Sequence, residues 1–136
     1  MSLINLIEFK SLGDDRGGLV SLEGNNNIPF NIKRVYYIFN TKDGVSRGFH
    51  AHKDLQQVAI CIKGSCRFLL DDGQQKETVL LDRANVGLYI DSMKWREMHD
   101  FSEECVLMVL ASHHYDEADY IRDYNEFLQE IRKENA

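Results

Sequence analysis

A chain of 136 residues with 43% hydrophobic content and a net charge of −6 is sized for a single domain around one packed core. Its basic residues are interspersed among acidic ones, which argues against nonspecific nucleic-acid binding, and no run approaches the roughly 20 apolar residues of a membrane span. The N-terminus lacks the order of a signal peptide, so the cytoplasm is the expected location. Cys61, Cys66 and Cys105 are odd in number and set in apolar surroundings, which fits reduced core thiols better than a disulfide framework or a zinc cluster.

In chain order, the pattern predicts strands over 18–23, 32–40, 57–63, 65–71, 77–82, 86–90, 95–100 and 105–112. Polar turns separate them. Asp72 and Gly73 form a dipeptide suited to a tight hairpin. Too few helical stretches intervene for βαβ units, so the expected fold is all-β, an antiparallel barrel or sandwich over about 17–112 within one domain spanning 1–136. Pro29 precedes the second strand, where its missing N–H costs the sheet nothing. After 112 the period changes. Tyr120, Tyr124, Phe127, Leu128 and Ile131 share one side of a 3.6-residue repeat, with Asp116, Glu117 and Asp119 near its start, which predicts one C-terminal helix over about 117–133 packed on the sheet.

The stretch Arg47, Gly48, Phe49, His50, Ala51, His52 carries the strongest chemical signal. In an extended segment His50 and His52 point to the same face. Two imidazoles inside a cavity can take a proton from one atom and return it to another near neutral pH. They can also ligate a metal. The pattern G-x-H-x-H followed by an acidic residue and a glycine resembles the first cupin motif from Gly48 to Gly64, which implies a jelly-roll barrel. Here Gln57 holds the acidic position, and Arg96 stands where the second motif usually offers a histidine. Neither suits a cation, and an arginine repels one. A site without metal or other cofactor is therefore expected.

The resemblance narrows further. The segments from Asn31 to Phe39 and from Arg47 to His52, the turns at Gly64–Ser65–Cys66 and Asp71–Asp72–Gly73, the run Val86 to Tyr89, the run Trp95 to Phe101, and Tyr115–Asp116–Glu117 together resemble the bacterial dTDP-sugar 3,4-ketoisomerases. This resemblance implies an isomerase that converts dTDP-4-keto-6-deoxyglucose to a dTDP-3-keto-6-deoxyhexose on the way to amino sugars of cell-surface glycans such as O-antigen. His50 and His52 would share the proton transfers, and the phenol of Tyr37 would hydrogen bond to the enolate. Arg47, Arg16, Arg96 and Trp95 are the expected substrate-binding residues, with guanidinium groups taking the diphosphate in a fork geometry. Open barrels expose sheet edges that small cupins commonly hide against a second subunit, so a homodimer is expected, and an N-terminal strand exchanged between subunits would bring Arg16 to the neighbouring site. Arg96 resembles members giving a glucose-configured product and Arg16 those giving a galactose-configured one, so the configuration at C4 stays open. The competing functions are a dTDP-sugar 3,5-epimerase, a non-catalytic sugar-nucleotide-binding cupin, and a metal-dependent cupin enzyme.

Overall fold

The computed structural model describes residues 2–135. Ten strands run in chain order: β1 (Asn5–Glu8), β2 (Arg34–Ile38), β3 (Arg47–His52), β4 (Gln57–Lys63), β5 (Cys66–Asp71), β6 (Lys76–Leu81), β7 (Val86–Ile90), β8 (Trp95–His99), β9 (Val106–Ala111) and β10 (Tyr120–Ile121). A short 3₁₀ turn, Glu117–Asp119, precedes β10, and one helix, α1 (Tyr124–Glu134), follows it. The strands form two five-stranded antiparallel sheets, ordered β1-β7-β4-β9-β2 and β10-β3-β8-β5-β6, which face each other as a jelly-roll sandwich.

Alternation along the strands builds the core. Ala59 and Cys61 of β4, Phe68 and Leu70 of β5, Leu88 and Ile90 of β7, Met98 of β8, and Leu107 and Val109 of β9 meet between the sheets. Val58 and Ile60 point the other way, and they are buried too, because Phe9, Ile28 and Phe30 cover the outer face of the first sheet. This double burial explains why β4 reads as an unbroken apolar run. The segment 18–23, expected as a strand, belongs to that cover. Val20 and Leu22 pack onto the cluster, but the segment has no ladder partner and is irregular. The strand at that edge is β1 instead, paired with β7 from Asn5↔Tyr89 to Glu8↔Val86.

The outer face of the second sheet is covered by α1, whose Phe127 packs with Trp95, Ala51 and Ile121. The helix starts later than its hydrophobic repeat suggests. Asp123 caps it, accepting from the Glu126 N–H at 3.0 Å, while Arg132 and Lys133 occupy the last turn, where the helix dipole favours cations. Residues 120–121 are thereby released to pair with β3, Tyr120 opposite His52 and Ile121 opposite Ala51.

Candidate active site

β3 does not run straight. Gly48 and Phe49 have φ of 90° and 58°, and the register against β8 slips between Gly48 and His50. A Cβ on Gly48 would lie 3.0 Å from the Arg96 carbonyl oxygen, so the bulge needs glycine both for its left-handed backbone and for its close approach to β8. Its effect is to bring Arg47, at the rim, and His50, on the floor, to one cavity of about 620 Å³. Tyr36, Arg34, Tyr120 and Arg122 also line it. A neighbouring cavity of about 260 Å³ contains His52 and Asp119 and shares Arg34 and Tyr120 with the first.

The imidazoles of His50 and His52 lie edge to face with ring centroids 4.9 Å apart, as the extended reading predicts. Both are buried, at 8% and 0% exposure. Tyr120 lies near both rings, at 5.0 and 4.3 Å, and the Arg122 guanidinium sits over the Tyr120 ring at 4.2 Å. Asp119 Oδ2 lies 3.0 Å from His52 Nδ1, and its Oδ1 accepts the Asp54 N–H at 2.8 Å. A carboxylate only accepts, so His52 donates from Nδ1 and presents the lone pair of Nε2. Neither His52 Nε2 nor His50 Nδ1 has a partner among the described residues.

Arg96 explains the state of the pair. It is fully buried, Nη1 donating to Gln57 Oε1 at 2.6 Å and Nη2 to the Lys94 carbonyl at 2.9 Å, and it forms no ion pair among the described residues. Burial first, and then this fixed charge, push His50 down to about 4 and His52 down to about 2. Both imidazoles are neutral at pH 7 and available as bases. The two positions where the cupin motifs offer metal ligands are thus bonded to each other and hold a positive charge. That donor set does not fit a cation.

Several expected site residues sit elsewhere. Tyr37 is 63% exposed on the outer face of β2, while its neighbour Tyr36 faces the cavity, its hydroxyl accepting from Gln57 Nε2 at 3.1 Å. Trp95 is not at the cavity: it is buried under α1 between Tyr124 and Phe127, its Nε1 donating to Glu97 at 2.9 Å. Adjacent strand residues face opposite ways, so Trp95 and Arg96 cannot both point inward. Arg96 itself lies below the cavity surface, where its charge acts and its side chain makes no wall. Arg16 is exposed and paired with Asp14 at 2.7 Å, away from both cavities of this chain. Arg47 lies where expected. Asp119, Tyr120, Arg122, Arg34 and Tyr36 were missed. Asp123 followed three residues later by Glu126 is a helix-start signal, and it would have freed 119–122 from the helix.

A family model described as FdtA, WxcM-like, C-terminal, matches residues 2–132. The chain belongs to the FdtA family. A relative from Aneurinibacillus thermoaerophilus, TDP-4-oxo-6-deoxy-alpha-D-glucose-3,4-oxoisomerase, is 58% identical over 96% of this chain and 94% of its own. The 3,4-ketoisomerase QdtA of Thermoanaerobacterium thermosaccharolyticum, solved as a histidine-to-asparagine variant with TDP-4-keto-6-deoxyglucose, superposes with a TM-score of 0.94. It is 46% identical and aligns over 98% of this chain and 96% of that one. The TDP-quinovose 3,4-ketoisomerase WlaRB of Campylobacter jejuni gives a TM-score of 0.90 at 48% identity, over 95% and 99% of the two chains. This FdtA-family chain therefore shares both sequence and fold with sugar 3,4-ketoisomerases along nearly its full length.

Proposed function

We propose that the protein converts dTDP-4-keto-6-deoxyglucose to a dTDP-3-keto-6-deoxyhexose by proton transfer alone. The observation that carries this reading is the pair of neutral histidines 4.9 Å apart, one open to the larger cavity and the other anchored to Asp119. The substrate class follows from the relatives' names.

The C4 carbonyl acidifies the hydrogen on C3. His50, at the floor of the larger cavity, removes it and returns a proton to C4. Between these steps the intermediate is an enediol, and the proton on O3 must leave while O4 gains one. His52 serves that exchange. Its Nε2 accepts from one oxygen and donates to the neighbouring one, and Asp119 stabilises the transient imidazolium. Tyr36, its hydroxyl already accepting from Gln57, has its own proton free to donate to the developing oxyanion, the role expected of Tyr37. Arg34 has a buried Nε with no hydrogen-bond partner among the described residues and lies over Tyr36 at 5.0 Å; with Arg47 and Arg122 it supplies the positive rim a diphosphate needs.

A homodimer and a cytoplasmic location belong to the same reading. Val35, Tyr37 and Phe39 expose apolar surface along β2, the edge of its sheet, where a second copy would cover it and bring its Arg16 toward this site. The test is kinetic. In single-turnover reactions in deuterated water, His50→Asn is expected to abolish deuterium entry at carbon, whereas His52→Asn slows product formation and leaves slow exchange at C3. Undiminished turnover in either variant refutes the assignment.

A further inference from the structure

The histidine site uses one end of the sandwich, and a second chemical cluster lies at the other. Cys61 sits four residues along β4 from Gln57, about 13 Å in an extended strand. Cys66 opens β5 and Cys105 precedes β9, so three separate segments deliver the three thiols. All are buried, at 1%, 0% and 2% exposure, and their sulfurs lie within 4.8 Å of one another, with Cys61 and Cys105 3.5 Å apart. Three sulfurs around an ion at bond lengths of about 2.3 Å stand about 4 Å apart, which the observed spacing brackets.

The surroundings choose among thiophilic ions. Ala59, Phe68, Leu81 and Leu107 belong to the same cluster, and no His, Asp or Glu joins the trio as a fourth ligand among the described residues. Net charge in such a place is costly. Three thiolates around Zn(II) leave one negative charge and around Cu(I) two, in a place that Phe68, Leu81 and Leu107 line with apolar side chains. Three thiolates around As(III) leave none.

We propose that Cys61, Cys66 and Cys105 form a three-sulfur site for a trivalent thiophilic species of the arsenite class, independent of the isomerase reaction. The step balances without electron transfer. As(OH)₃ meets three thiols; three As–O bonds break, three As–S bonds form, and each thiol proton leaves with a hydroxide as water. Entry runs through the turns at Gly64 and Ser102, which pack so closely that a Cβ on Gly64 would lie 2.9 Å from the Cys105 Cα. The site therefore loads slowly, at the rate these turns open, and once loaded ties β4, β5 and the start of β9 together.

The test incubates the reduced full-length protein with sodium arsenite, zinc sulfate or a copper(I) complex and reads native mass spectra and melting temperature. The expected result is one arsenic per chain, a mass gain of one arsenic less three hydrogens, a rise in melting temperature, and no free thiol on denaturation. Cys61→Ser, Cys66→Ala and Cys105→Ser each lose the three-proton mass signature, while His50→Asn keeps it, which separates this site from the isomerase reading. Absence of the adduct even in mild urea that opens the turns overturns the proposal. So does an unchanged adduct in a single-cysteine variant that folds, or preferential retention of zinc or copper(I).

Discussion

Asp119→Asn removes the charge behind His52 and alters little else in size. In the structure the carboxylate takes the Nδ1 proton at 3.0 Å and the Asp54 N–H at 2.8 Å. An asparagine turned to keep the Asp54 bond through its oxygen presents its amide hydrogens to Nδ1, which favours the tautomer with the proton on Nε2. His52 then faces the substrate as a donor and cannot accept. Even in the correct tautomer, the imidazolium formed during the oxygen exchange loses a charge-assisted hydrogen bond worth about 1.5–3 kcal/mol. That loss falls on the transition state, so kcat is expected to drop by roughly 10- to 150-fold. KM should move little, because Asp119 does not line the larger cavity. The assay follows dTDP-4-keto-6-deoxyglucose by NMR across substrate concentrations, with melting temperature as the control for folding. A variant with unchanged kcat and raised KM would refute the reasoning, because Asp119 would then be a binding residue.

Four further outcomes follow from the geometry. Because His50 binds its proton near pH 4 when folded and near 6.5 when unfolded, the unfolded chain holds more protons between those values; stability is full above about pH 6.5 and falls by about 3 kcal/mol on going down to pH 4, and urea titrations of the wild type and His50→Asn should differ by that slope. Gly48→Ala forces a left-handed backbone and a close contact on β8, so a loss of about 1–3 kcal/mol in stability with disruption of activity is expected from urea midpoints and turnover. Arg34→Gln should raise KM and the Kd for dTDP, more at low salt than at high, with kcat preserved; calorimetry reads the difference. Trp95→Phe should lower the melting temperature through lost packing on α1 while leaving dTDP affinity unchanged, the opposite of what a nucleotide platform would show.

Much of the fold was legible because strand period and turn chemistry are local. Seven of the eight expected strands overlap observed ones, and the histidine pair meets as its spacing requires. The failures share a physical cause. The segment 18–23 alternates like a strand because it lies on an apolar sheet face, and burial pattern alone does not reveal whether a ladder partner exists. Tyr120 fits a helical repeat by spacing, yet pairing with His52 outweighs it, and Asp119 reaches a histidine 67 residues away in sequence. Tyr37 and Trp95 are expected in the site, yet strict alternation along their strands sends each to the other face. The bulge at Gly48 breaks that alternation in the one place where Arg47 and His50 need it broken.

The central claim is that two neutral histidines move a carbonyl between C4 and C3. The most direct measurement incubates the chelator-treated protein with dTDP-4-keto-6-deoxyglucose in deuterated water and maps deuterium on the sugar by NMR. The account predicts a 3-keto product with deuterium at C4 and any exchange in remaining substrate confined to C3, and the coupling at C4 in a parallel reaction in ordinary water reports the product's configuration. Deuterium at C5, or no product until a divalent metal is restored, would contradict it.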